Sequence, residues 1–223
     1  MISLIFPDSS VKKFEKGTKV IDVAKSISEG LARKVISASF NKETCELETK
    51  LDVDGNIKFY TWEDNEGKQA FWHSSAHILA QTIKFFYPKS KLTIGPSIEN
   101  GFYYDVDFNG DNISEKDFQK IEAKFLEFAR TDSQFIMKSM SKDEALDFYK
   151  REDNQYKVEL IKGLDDGTIT FCDHSNFSDL CRGGHIPSTG IVKAVKLLNI
   201  AGAYWRGDEK NNQLTRIYGI SFP

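Results

Sequence analysis

Short apolar runs at Ile2–Phe6, Val11–Phe14 and Val35–Phe40 surround one helical pattern from Val20 to about Ile27, and Pro7-Asp8-Ser9-Ser10 supplies a first turn. Further on, Phe71, Ala76, Ile78, Leu79, Ile83 and Phe86 recur at helical spacing, predicting a long, largely buried helix over 68–87 that Pro88 ends. Leu92–Pro96 and Gly101–Phe108 predict two strands around a Glu-Asn-Gly turn. Ser114 and Ser141 open two helices, the second with the Ser-Lys-Asp-Glu spacing of a capping box, in which hydroxyl and carboxylate satisfy free backbone N–H groups. A strand is expected over Phe135–Met140 and a short helical segment around Lys157–Ile161. The strand pattern resumes at Thr168–Cys172, Val192–Leu198, Gly202–Arg206 and Leu214–Ile220.

A hairpin, a helix and further strands within residues 1–62 predict a ubiquitin-like β-grasp domain. Asp64-Asn65-Glu66-Gly67 reads as a polar linker, placed at 63–67, and residues 68–223 as a second domain of mixed sheet and helices, so the class is α+β. A chain of 223 residues with 40% apolar and 28% charged residues and only five prolines is an ordinary globular protein, not a disordered or fibrous one. A net charge of -3 gives no overall attraction to nucleic acid, so any RNA contact has to come from a local basic face. The start, MISLIFPDSS, lacks the basic flank and long apolar core of a secretory signal, and no apolar stretch is long enough for a membrane span. The expected compartment is the cytoplasm, with no membrane partner. Cys45, Cys172 and Cys181 are odd in number and widely spaced, which points to reduced thiols.

The candidate chemistry lies in two short segments. His73-Ser-Ser-Ala-His77 puts two imidazoles four residues apart on one helix face, where they can hold one water or one metal ion. Ser74 stands where a zinc protease needs its glutamate, so that class is set aside. Cys181-Arg-Gly-Gly-His185 adds a thiol and a third imidazole on a glycine-containing loop, giving His73, His77, Cys181 and His185 as a candidate tetrahedral metal set. A packed polar helix face, a buried thiol and a surface histidine are the plainer readings of the same residues.

HSSAH at 73–77, DLCRGGH at 179–185, and the segments IGPSIENGFYYDVD, YKVELI, AGAYWRGD and LTRIYG together resemble the editing domain of the bacterial threonyl-tRNA synthetase family, a module shared with alanyl-tRNA synthetases. The front unit is similar to the TGS modules of synthetases, and the resemblance covers essentially the whole chain. It implies hydrolysis of the ester joining serine to the 3′ end of threonine-specific tRNA. One missing methyl is worth only about 1–3 kcal/mol of discrimination, so a second, hydrolytic site is needed. By the resemblance, His73 and His77 position or deprotonate the attacking water, and Lys157 orients water or stabilises the oxyanion. Asp179, Cys181 and His185 grip the serine and the terminal adenosine, His185 also assisting proton transfer, and Tyr104 lines the pocket.

On metal the resemblance points two ways, because alanyl-type editing domains use one here and the threonyl site works with water and side chains. The expectation is that no cofactor is required, with zinc at the editing site left open. Family members continue into a class II aminoacylation core with its own zinc, ATP and Mg²⁺, none of whose motifs appears here. The chain is therefore expected to be a fragment cut at Pro223, monomeric, of an enzyme that is homodimeric at full length. Two departures stand out: Gly184 where the family often has proline, loosening the loop, and Ser75 where cysteine is common. His174 falls outside the motifs and is expected to be structural or exposed. The competing readings are a zinc-dependent hydrolase on the same fold and a non-catalytic tRNA-binding module using lysines such as Lys12, Lys13 and Lys116.

Overall fold

In the computed structural model, which describes residues 1–223, strand β1 (Ile2–Ile5) forms an antiparallel hairpin with β2 (Val11–Phe14). Asp8 closes its turn by accepting hydrogen bonds from the Ser10 N–H at 3.0 Å and the Ser10 hydroxyl at 2.6 Å. After a short strand, β3 (Thr18–Lys19), come helices α1 (Val20–Ile27) and α2 (Glu29–Ala32). Then follow β4 (Val35–Phe40), β5 (Glu43–Cys45), β6 (Lys50–Leu51) and β7 (Gly55–Thr61). The five-stranded sheet has the order β2-β1-β7-β4-β5, with β1 and β7 parallel, and β3 pairs with β6. Ile2 and Leu4 on β1 meet Val20, Val23 and Ala24 of α1 and Ala38 and Ile57 of the neighbouring strands in one buried cluster. Each buried valine, leucine or isoleucine side chain among them contributes about 1.5–3 kcal/mol through removal from water. Parallel first and last strands at the sheet centre with the helix packed across them make this unit the expected β-grasp.

That unit comprises Met1–Phe71 together with Gly183–Pro187, and a second comprises Trp72–Arg182 with Ser188–Pro223. Helix α3 runs over Asn65–Phe86, so Asn65-Glu66-Gly67, read from sequence as linker, is its first turn. The cause is local: Asp64 accepts from the Thr61 N–H at 2.8 Å, and its own carbonyl takes the Lys68 N–H at 3.0 Å. Gly67 marks close packing, because a Cβ there would lie 1.9 Å from the Thr61 carbonyl oxygen.

In the second unit, β8 (Lys91–Leu92), β9 (Ser97–Ile98) and β10 (Gly101–Asp107) precede helix α4 (Phe118–Ala129), strand β11 (Ile136–Ser139), and helices α5 (Lys142–Arg151) and α6 (Gln155–Lys162). The chain then forms β12 (Thr170–His174), β13 (Phe177–Leu180), β14 (Ala194–Tyr204) and β15 (Gln213–Phe222). One sheet is ordered β14-β15-β10-β8 with β9 beside β10, and the other β11-β12-β13. The capping box expected at Ser141 is present, its hydroxyl accepting from the Glu144 N–H while Glu144 accepts from the Ser141 N–H. The two strands expected around residues 192–206 are one continuous strand, because β15 pairs along all of it and a bulge between Leu197 and Asn199 absorbs the irregular register. No helix is long and apolar enough to cross a membrane.

Candidate functional site

Helix α3 puts His73 and His77 one turn apart, with ring centroids 5.0 Å apart and planes nearly perpendicular. His77 is buried, edge-on to Phe135 and to His174, which is itself buried rather than exposed. Cys181 follows β13, its N–H donating to the Thr170 carbonyl at 3.0 Å, and its Sγ lies 3.1 Å from His73 Nε2. The ligand atoms of His73, His77 and Cys181 lie within 4.8 Å of one another. Two nitrogens and a sulfur at such separations suit a tetrahedral zinc ion, so the donor set fits one.

Beside these residues a second group is built around Asp179. Its Oδ1 is 2.6 Å from Lys157 Nζ and accepts from the Tyr149 hydroxyl at 2.7 Å, while Oδ2 accepts from the Tyr104 hydroxyl at 2.8 Å. The Leu180 N–H reaches both Tyr149 Oη, at 2.7 Å, and Asp179 Oδ1, at 2.9 Å. All four side chains are buried. Burial pushes the Asp179 carboxyl up, but the Lys157 ammonium, then His77 and the Tyr149 hydroxyl, outweigh it and hold it below the usual carboxylate range. Burial first, then the negative Asp179, pushes Tyr104 and Tyr149 well above the ordinary phenol value, so both remain hydrogen-bond donors.

Local structure explains each placement. The alternation of β10 turns Phe102, Tyr104 and Val106 to the buried face. Gly95 leaves room for the Tyr104 ring, since a Cβ there would be 2.2 Å from Tyr104 Cδ2. Asn154 caps α6, accepting from the Lys157 N–H at 3.2 Å while its amide donates to the Leu92 carbonyl at 2.8 Å, which fixes where the helix starts and hence where Lys157 sits. Tyr149 was not foreseen: with Ala145 it forms the inward stripe of an amphipathic helix and looks like core, and its hydroxyl partner is thirty residues away.

His185 is held in the first unit. Glu46 Oε1 lies 3.1 Å from His185 Nδ1 and accepts from the Gly184 N–H at 2.8 Å. Burial pushes the Glu46 carboxyl up, and the hydrogen bonds from His185 and Gly184 outweigh it, leaving the group below its ordinary value. Gly183 and Gly184 have φ of +96° and +87°, conformations closed to proline. The loop expected to be loosened by Gly184 is clamped instead.

Residues 2–61 match the TGS domain. Residues 169–218 match the threonyl and alanyl tRNA synthetase second additional domain. Two separate segments of the chain thus match two different domain families. The chain is 60% identical over 223 residues to a threonine–tRNA ligase of Flavobacterium psychrophilum, a match that covers all of this chain and 34% of that protein. It is 61% identical to the ligase of Flavobacterium johnsoniae, again over all of this chain and 34% of the relative. For Clostridioides difficile the figures are 52% identity, all of this chain and 35% of the relative. The chain therefore spans about a third of the length of the curated relatives it matches.

Proposed function

We propose that the chain is the post-transfer editing part of a threonine–tRNA ligase: residues 1–62 a TGS module and 68–223 a deacylase domain that hydrolyses the ester of seryl-tRNA made in error on threonine-specific tRNA, with 63–67 running from the one into the first turn of α3. The observation that carries this reading is the gathering of His73, His77 and Cys181 beside the buried Lys157–Asp179 pair, in a chain similar throughout to threonine–tRNA ligases.

Ester hydrolysis needs a water aimed at the acyl carbon, a proton acceptor, and positive charge where the carbonyl oxygen becomes negative. His73 and His77 are the candidates for holding and deprotonating the water, and His185 for assisting proton transfer. Lys157 carries the positive charge for the oxyanion or the water. Asp179, Cys181 and Tyr104 take the substrate, Asp179 accepting from the serine amine or hydroxyl. A buried wall against one more methyl discriminates serine from threonine by exclusion, which reaches further than attraction to the smaller group.

In this reading the hydrolysis runs on water and side chains. The partner is the 3′ end of threonine-specific tRNA, the fragment is a monomer, the full-length enzyme a homodimer, and the compartment the cytoplasm. ATP, Mg²⁺ and zinc belong to aminoacylation and not to these residues. A zinc-dependent hydrolase is the second reading, favoured by the fit of His73, His77 and Cys181 to that ion. Zinc would supply a Lewis acid and an acidified water there.

The test is deacylation of seryl-tRNA against threonyl-tRNA, with and without chelator and with zinc measured by elemental analysis. Selective loss of serine, lowered about 100-fold or more in His73→Ala and indifferent to chelator, is expected. Stoichiometric zinc with chelator-sensitive activity would move the assignment to the second reading. No hydrolysis by the native chain would refute both.

A further inference from the structure

Glu46, in the connection between β5 and β6, touches the second sequence motif at three points. It accepts from the Gly184 N–H at 2.8 Å, more weakly from the His185 N–H at 3.4 Å, and from His185 Nδ1 at 3.1 Å. The side chain of His185 has 0% relative exposure and that of Glu46 19%, so the contact is largely withdrawn from water. An ionised carboxylate only accepts, so the ring nitrogen facing it carries the proton. In the neutral imidazole this leaves the lone pair on Nε2, the atom that serves as base or ligand.

The backbone around this contact is shaped for it. Gly183 and Gly184 are both left-handed; a Cβ on the first would lie 3.0 Å from Glu46 Oε1 and on the second 3.1 Å from Thr44 Cγ2. Two side-chain-free residues in succession let the loop lie against Thr44–Glu46 and turn consecutive N–H groups onto one carboxylate.

We propose that Glu46 is a positioning residue for His185: its carboxylate fixes the ring orientation and keeps the proton on Nδ1, so that Nε2 is presented as an acceptor. Glu46 falls inside the TGS match and His185 inside the second additional domain match, so a residue counted with the TGS module sets the chemistry of the editing motif. The inference rests on His185 acting in the proposed hydrolysis, and its experiment has a readout that does not need activity.

In the full 223-residue chain, ¹⁵N shifts of the His185 ring report the tautomer directly. The native protein is expected to show Nδ1–H, Glu46→Ala a mixture or Nε2–H, and Glu46→Gln, whose amide oxygen still accepts, the native pattern. Native Nε2–H, or a tautomer unchanged in a folded Glu46→Ala, overturns the proposal whether or not seryl-tRNA is hydrolysed. In kinetics, removing such an orienting partner is expected to cost about 10-fold or more in kcat with KM little changed, and Glu46→Gln to recover most of it. Because Glu46 acts through His185, the double variant Glu46→Ala/His185→Ala should be no slower than His185→Ala alone. Additive losses would show a merely structural role and sink the idea.

Discussion

Lys157 Nζ lies 2.6 Å from Asp179 Oδ1 with side-chain exposures of 4% and 5%, so two opposite charges are paired almost out of reach of water. Such a pair is weak evidence for net stability, because desolvating both ions offsets much of their attraction, but removing one partner strands the other. Lys157→Met is therefore expected to lower unfolding free energy by about 3–5 kcal/mol in urea titrations. A loss under about 1 kcal/mol would mean that the ammonium is not paired in solution.

Tyr149 joins Asp179 and the Leu180 N–H with a single hydroxyl. Tyr149→Phe keeps the ring, stacked 5.5 Å from Phe171, and deletes only the oxygen. The expected cost is about 1–3 kcal/mol, the penalty for leaving buried polar groups with one partner fewer. Thermal unfolding of the variant with unchanged circular dichroism checks this, and a neutral substitution would contradict the geometry.

Gly95 is a contact and not a hinge: a Cβ there meets the Tyr104 ring at 2.2 Å. Gly95→Ala is expected to displace that ring from Asp179 and to destabilise by about 1–3 kcal/mol through overpacking. The double variant Gly95→Ala/Tyr104→Ala, in which the clash is gone, should lose less than the sum of the single losses. Strict additivity would show that the two residues do not meet.

Local pattern was enough for the face shared by His73 and His77 and for the cap at Ser141, because each depends on residues within one or two turns of one another, and for the order of short strands and helix that marks the β-grasp unit. It was silent where the deciding partner is remote. Local spacing does not single out Lys157, which only the family resemblance marks, because its partner Asp179 is remote in sequence, and Glu46 sits in a polar stretch whose partner is 139 residues away. Gly67 and Gly184 misled for a related reason: glycine signals freedom along the chain, yet here it marks close approach to Thr61 and Thr44. The bulge near Asn199 hid one strand as two, since register is a property of the pair.

Tyr156, the neighbour of Lys157 on α6, gives a pH-dependent expectation. Its hydroxyl donates to Asp107 Oδ2 at 2.6 Å and accepts from Asn212 Nδ2 at 2.9 Å. Burial first, then the Asp107 hydrogen bond, pushes the phenol from its ordinary value of 10.0 up to about 12. The neutral form is thus the one the fold prefers, so this contribution is fully present below pH 10 and is lost as pH rises through about 12. Urea unfolding of native protein and Tyr156→Phe across pH 7–12 isolates it from other alkaline titrations. The native chain should be more stable by about 1 kcal/mol at neutral pH, from the hydrogen bonds alone. Between pH 10 and 12 the two curves should converge, because only the native chain has the hydroxyl to ionise. A gap that stays constant over that window would show that the Tyr156 phenol ionises equally in the folded and unfolded states.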